Sequence, residues 1–230
     1  MSELRLVPLT GIPEVAPGAD LATLLGDAVE RAGGLEAGDV LVVAQKVVSK
    51  AEGRIEETDD HVGVILREAG AVRRRRGDLI IAETEHGFVC ASAGVDRSNA
   101  PGKDMVVLLP RDPDASAAQI RDALATRFGI APVVIVGDSF GRAWRQGTTD
   151  VAIGVAGMQP LLDLRGTKDA RGYTLESTVI AVADELAGAA ELVMGKTAGV
   201  PAVLVRGYRV PAGGGSARDI VMPPERDLFP

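Results

Sequence analysis

Val133-Val134-Ile135-Val136-Gly137-Asp138-Ser139-Phe140-Gly141-Arg142-Ala143-Trp144-Arg145 is the segment from which the architecture is read. Its first four residues are β-branched and wholly apolar, the texture of a strand buried on both faces. Working outward, the short apolar runs Val40 to Ala44, Leu79 to Ala82, Met105 to Leu109 and Ala202 to Val205 read as further strands. Helical stretches lie between them. Asp20 is placed to cap a helix whose Leu21, Leu24, Leu25, Ala28 and Val29 share one face and which Gly33-Gly34 stops. Thr58 to Ala69 and Asp114 to Phe128 follow, the second opening on Pro113 with Ile120, Leu124 and Phe128 on one stripe. Ser177 to Met194 is expected to be the longest helix. Strands interleaved with helices define an α/β chain in the mixed α+β sense, with mixed sheets and flanking helices. The spacing is irregular and no strand–helix unit repeats, so the pattern does not fix a topology.

The chain has 230 residues, of which 46% are hydrophobic, enough for one large core or two smaller ones. A net charge of −7 argues against a nucleic-acid binder or a membrane-surface protein, both of which need broad positive fields. Any anionic substrate must be met by local cations. The lone cysteine, Cys90, has no intrachain partner and reads as a small buried apolar residue, so nothing calls for an oxidising compartment. Met1 to Val15 carries Glu3, Arg5, Pro8 and Pro13, unlike a secretory signal, and no apolar run approaches the roughly 20 residues that span a bilayer. The expected location is the cytoplasm. Arg73 to Arg76 reads as a solvated turn, and the Gly- and Pro-rich residues from Pro211 read as an extended tail or linker, giving a domain over 1–210 and a tail over 211–230.

Several common catalytic signatures fail. With only His61, in a polar helix and expected to be exposed, and His86, there is no metal-binding histidine pair. Gly195-Lys196-Thr197 resembles the end of a P-loop, but Ala190 stands where the first glycine belongs and a helix precedes it. What remains is carboxylate chemistry. The apolar strand delivers Asp138 and Ser139 to its C-terminal edge, where a carboxylate beside a hydroxyl suits Mg²⁺ or Mn²⁺, with Arg142 and Arg145 for phosphates. The structural alternative is a turn in which Asp138 caps the following backbone. Phe88 to Asn99 ends similarly, in Asp96 and a polar cluster, and two carboxylates on loop edges could share a metal whose shell substrate phosphates complete. Gln45 to Arg54 carries Lys46, Lys50 and Arg54, and Lys50 is the candidate phosphate partner.

Four segments, Gly11 to Val15, Val42 to Arg54, Ala93 to Asn99 and Gly137 to Arg142, resemble the coenzyme F420-0:γ-glutamyl ligase family in order. The resemblance runs from about Pro8 to Gly207 and takes in Thr149 to Gly157 and Ala183-Asp184-Glu185-Leu186 through Gly195-Lys196. It implies an enzyme that uses GTP and two divalent ions, Mg²⁺ or Mn²⁺, with K⁺ as a further ion, to join L-glutamate to the lactyl carboxylate of F420-0. Further glutamates would follow through γ-linkages, with GDP and phosphate released. By motif, Asp96 and Asp138 correspond to metal carboxylates and Ser139 to a hydroxyl ligand that is often threonine. Asn99, Gln45 and Lys50 correspond to nucleotide contacts, Ile12, Pro13, Glu14 and Val15 to the pocket wall, and Met194, Gly195 and Lys196 to backbone closing over it. Gln45 departs from relatives, which often carry a smaller hydroxyl residue there. The resemblance also implies an intertwined homodimer, and in some relatives this region precedes a flavin-binding domain. Two rivals are weighed: a metal-dependent phosphohydrolase, which lacks its second aspartate because Phe140 stands there, and a non-catalytic GTP-binding module.

Overall fold

The computed structural model describes residues 3–98 and 100–228. In chain order the elements are β1 (Arg5–Pro8), α1 (Leu21–Arg31), β2 (Val40–Ala44), α2 (Gln45–Ala51), β3 (Ile55–Glu57), α3 (His61–Glu68), β4 (Ala69–Arg76), β5 (Leu79–Thr84) and β6 (Val89–Ala91). They continue with β7 (Met105–Val107), α4 (Pro113–Phe128), β8 (Val133–Arg142), β9 (Arg145–Ala156), β10 (Leu162–Asp163), β11 (Val179–Ile180), α5 (Val182–Met194) and β12 (Ala202–Arg206). The protein is mixed α/β, as expected.

The main sheet has the order β1-β12-β2-β8-β9. Only β2 and β8 run parallel; the other neighbours are antiparallel. Val40 to Val43 and Val133 to Val136 are buried throughout, because helices cover both faces of the sheet. Gly137 and Ser139 face α5: a Cβ on Gly137 would sit 3.7 Å from Ala187. Gly154, paired with Val136, faces the first turn of α4 at Pro113. A second, smaller cluster of Val64, Ile65, Ile80, Ala82, Ala93, Val95, Val106 and Leu108 holds together α3, the β4-β5-β6 sheet and the β3-β7 pair.

Local chemistry explains the helix boundaries. Asp20, Asp60 and Asp112 each cap a helix by accepting a backbone N–H three residues on. The expected helix from Thr58 therefore begins only at His61, since Asp60 is its cap and the Thr58 hydroxyl accepts the Asp60 N–H. The expected helix from Ser177 begins at Val182; Val179 and Ile180 pair instead with Leu162 and Asp163, so α4 is the longest helix among the described residues. Arg73 to Arg76 lie in strand β4 rather than a turn, where pairing with Leu79 to Ile81 and an Arg73–Glu83 ion pair hold them extended. The strand at Met105 ends at Val107, and the strand at Val133 runs on through Arg142.

Residues 211–217 fold back onto the domain. Asp114 accepts hydrogen bonds from Val155 N (2.7 Å), Ala217 N (3.0 Å) and the Ser216 hydroxyl (2.6 Å), tying α4, β9 and this segment together. Asp114→Ala should cost on the order of 2 kcal/mol by leaving buried N–H groups unpaired, read as a lower urea midpoint with an unchanged slope.

Candidate active site

Strand β8 builds the site by alternation. Asp138 and Phe140 share one face, where the Phe140 ring packs against the main core and meets Phe88 edge-on at 6.3 Å. Ser139 projects to the opposite face, paired across the strands with Asp150. A bulge at Ile153 of β9 changes the register between Val136 and Gly137, just before these residues. Asp138 is thus inside a paired strand, opposite Val151, rather than at a free strand end as expected. Continued pairing with β9 carries the strand past the expected edge.

On the first face, Asp96 is held by an isolated bridge to Val107, with N···O distances of 2.9 and 2.8 Å. Its carboxylate accepts from Ser98 N (2.6 Å) and the Ser98 hydroxyl (2.9 Å) and pairs with Lys46 Nζ at 2.7 Å. Burial works to raise the Asp96 pKa, but the bonds from Lys46 and Ser98 outweigh it and hold the group below the usual carboxylate range. Asp138 behaves oppositely. Although some of its surface is accessible, it is densely surrounded by protein, and burial pushes its pKa up to about 7 against the Ser139 backbone N–H and Lys46; Asp150 and Asp96 add to the rise. A carboxyl that, enclosed by protein, ionises only near neutrality, with the charged Asp96 and Asp150 in its surroundings, favours positive charge here.

On the second face, Asp150 is only 6% exposed and accepts from the Ser139 hydroxyl, while Lys196 Nζ donates to Ser139 and stands 3.6 Å from Asp150 and 3.8 Å from Glu191. An ammonium ion surrounded by three oxygens occupies a position suited to a cation. Gly195 ends α5 with positive φ and turns Lys196 into this cluster. Among the described residues, no group of three or more His, Cys, Asp or Glu is arranged to cage a metal. The donor set present is two carboxylates on one face and a hydroxyl with a carboxylate on the other. Such sparse oxygen sets suit hard divalent ions whose shells substrate phosphates complete.

The remaining candidates fall in two groups. Lys50 is 5% exposed and paired with Glu14, which joins the Ile12 to Val15 loop to α2; Val15 is buried and Pro13 and Glu14 are exposed. Gln45 is turned inward at 2% exposure, its amide nitrogen bonded to the Ser49 hydroxyl (2.6 Å) and Leu108 O (3.0 Å), so its side chain supports the start of α2. Asn99 lies outside the described residues. Sequence reading passed over two members of the cluster, Lys46 and Asp150. Lys46 lies one turn before Lys50, and its partner on Asp96 is distant in sequence; Asp150 opens an apolar strand and looks like a surface residue. His61, expected to be exposed, is half-buried with Nδ1 unpartnered among the described residues, and burial, with the Arg97 charge, lowers its pKa. Cys90 is buried as expected, which pushes its thiol to about 12 and leaves it inert at neutral pH.

The α/β fold gathers carboxylates, a serine hydroxyl and two ammonium groups around strand β8, a set able to hold cations and anionic groups. Comparison with known proteins gives the family. Residues 11–207 match the F420-0:Gamma-glutamyl ligase family. The chain is 41% identical to the coenzyme F420:L-glutamate ligase of Methanothermobacter thermautotrophicus, over 98% of each chain. It is 42% identical to the enzyme of that name from Methanopyrus kandleri, over 98% of this chain and 97% of the relative. With the namesake from Methanocaldococcus jannaschii the figures are 40% identity over 85% and 86%. The chain belongs to the F420-0:γ-glutamyl ligase family and is a ligase.

Proposed function

We propose that this enzyme joins L-glutamate to coenzyme F420-0, and then adds γ-linked glutamates, by GTP-dependent formation of an acyl phosphate. The observation that carries this reading is the Asp96–Lys46 pair with the half-buried Asp138 in electrostatic reach of both, in a chain similar to named glutamate ligases over nearly its whole length. A carboxylate and an amine do not condense unaided in water. Transfer of the nucleotide γ-phosphoryl group makes the carboxylate a good electrophile, and the amine then displaces phosphate.

The donor chemistry fits divalent ions: Asp96 and Asp138 on one face, Ser139 with Asp150 on the other, oxygen groups that lysine ammonium ions now neutralise. Mg²⁺ or Mn²⁺ bound there, with K⁺ as a further ion, would supply charge neutralisation on the phosphates. Lys46 and Lys196, which lie on these carboxylates, are placed to turn to phosphate oxygens when the nucleotide enters, and the Glu14–Lys50 pair fixes the loop from Ile12 to Val15 as a wall. The backbone from Met194 to Lys196 would close over the nucleotide, and Asn99 would contact it. No protein side chain becomes covalently linked; positioning and charge neutralisation provide the catalysis.

We assign the ligase unit to residues 1–210, with 211–230 as a C-terminal segment that begins by packing back onto it, and the working form to an intertwined homodimer in the cytoplasm. Exposed Val72, Leu79 and Val89 on the β4-β5-β6 sheet and Trp144, 83% exposed at the β8–β9 tip, support association between copies. No helix among the described residues is long and apolar enough to cross a membrane. Hydroxylamine trapping tests the mechanism: F420-0, GTP and Mn²⁺ without glutamate should yield an F420-0 hydroxamate with matching GDP. GDP release with no hydroxamate would instead favour a hydrolase.

A further inference from the structure

A cavity of about 290 Å³ lies outside the carboxylate cluster, walled by Arg54, Arg67, Glu68, Thr84, His86 and Arg111, with Glu85 at its edge. Three guanidinium groups and two carboxylates in one lining describe neither an apolar slot nor a simple anion hole. Most of these charges are already matched. Arg54 is fixed by Leu109 O (2.9 Å) and Glu68 (2.6 Å), and Arg67 pairs with Glu56 (2.6 Å) as well as Glu68 (3.3 Å). Two charges are left: Arg111 and Glu85 have no ion-pair partner among the described residues.

Both unmatched charges are presented by the same histidine. Glu85 precedes His86 in the turn after β5, and His86 Nε2 lies 3.0 Å from Pro110 O and 3.1 Å from Arg111 O. Facing two carbonyl oxygens, Nε2 carries the proton and donates, which ties the backbone of Arg111 to the turn that holds Glu85. Stacking of His86 on Phe88 at 5.7 Å fixes the ring. A positive and a negative side chain, both exposed, carried on backbones that His86 ties together and without ion-pair partners among the described residues, complement a zwitterion.

We propose that this cavity binds the incoming amino acid, an α-amino dicarboxylate, with its α-carboxylate on Arg111, its ammonium on Glu85 and its side-chain carboxylate toward Arg67 and Arg54. The assignment rests on the ligase reading above and gives its second substrate a place. Size agrees: the cavity is at the lower end of the roughly 300–1,000 Å³ of small-molecule sites, suited to a ligand of about ten non-hydrogen atoms and too small for a nucleoside triphosphate. Charge agrees too, since Arg111 is the one lining guanidinium without an ion-pair partner among the described residues, too little to match a triphosphate. The cavity is linked to the reacting centre through the chain. Ala93 in its wall precedes Asp96 by three residues, and Leu109 lies two beyond Val107, which bridges Asp96, about 7 Å at the rise of an extended chain.

The test is steady-state kinetics of Arg111→Ala, Arg111→Lys and Glu85→Gln. The expected result is a tenfold or greater rise in the KM for L-glutamate in Arg111→Ala and Glu85→Gln, partial recovery in Arg111→Lys, and a KM for GTP within twofold of wild type in all three. Unchanged nucleotide KM also shows that the variants fold. A wild-type enzyme that ligates while both variants keep its glutamate KM overturns the cavity assignment alone; a wild type that makes no glutamyl product overturns the assignment together with the reading on which it rests.

Discussion

Asp138→Asn is expected to abolish glutamate addition, by a factor of at least about 10³, while making the protein without nucleotide more stable at pH 8. The two effects share one cause. Burial holds the Asp138 pKa at about 7, above its ordinary 3.8, so the folded state binds this proton more tightly than the unfolded chain. A carboxyl shifted upward opposes folding once ionised: its penalty is absent below pH 4, grows as pH rises from about 4 to 7, and is constant above. The shift sets a ceiling of about 4 kcal/mol, and partial solvent access brings the expected gain to on the order of 2 kcal/mol. Urea unfolding of wild type and variant at pH 4 and pH 8 measures it; the variant's advantage should appear only at the higher pH. The same proton must leave before a divalent ion binds, so ion affinity in the wild type should rise as pH passes 7. Equal stability at both pH values, with turnover retained, would remove Asp138 from the centre of the site.

Gly154→Ala is expected to destabilise the fold more than any other conservative change considered. A Cβ at Gly154 would stand 2.3 Å from Pro113 O and 2.5 Å from Pro113 C, and both are backbone atoms that no side-chain rotation can move. The contact is fixed on both sides, since Asp114 accepts the Val155 N–H at 2.7 Å. Separating β9 from α4 by the needed distance should cost on the order of 3 kcal/mol. Because β9 also carries Asp150 and pairs with Asp138, activity should fall more steeply than stability. A urea midpoint within error of wild type would show that α4 can retreat freely.

The parts of this structure that were readable from sequence are those whose causes are local. Val40 to Ala44 has matching bounds because an unbroken apolar run needs cover on both faces, whatever its neighbours. The cap at Asp20 and the helix opening at Pro113 were equally local. Gly137 to Arg142 looked like a loop since its strand state depends on β9, whose polar first half gives no alternation to read. The site shows the same division. Asp96 and Asp138 stand out as carboxylates after apolar runs, but the placement of Asp96 depends on its bridge to Val107. That bridge, together with the start of α2, puts Lys46 rather than Lys50 on Asp96, and only the cross-strand register shows Asp150 behind Ser139.

The most direct measurement is mass spectrometry of F420-0 incubated with the protein, GTP, L-glutamate and Mn²⁺. The account predicts products heavier by whole glutamate residues, formed with GDP and lost on adding EDTA. GTP hydrolysis without any glutamyl product, or glutamate addition that EDTA does not affect, would contradict it.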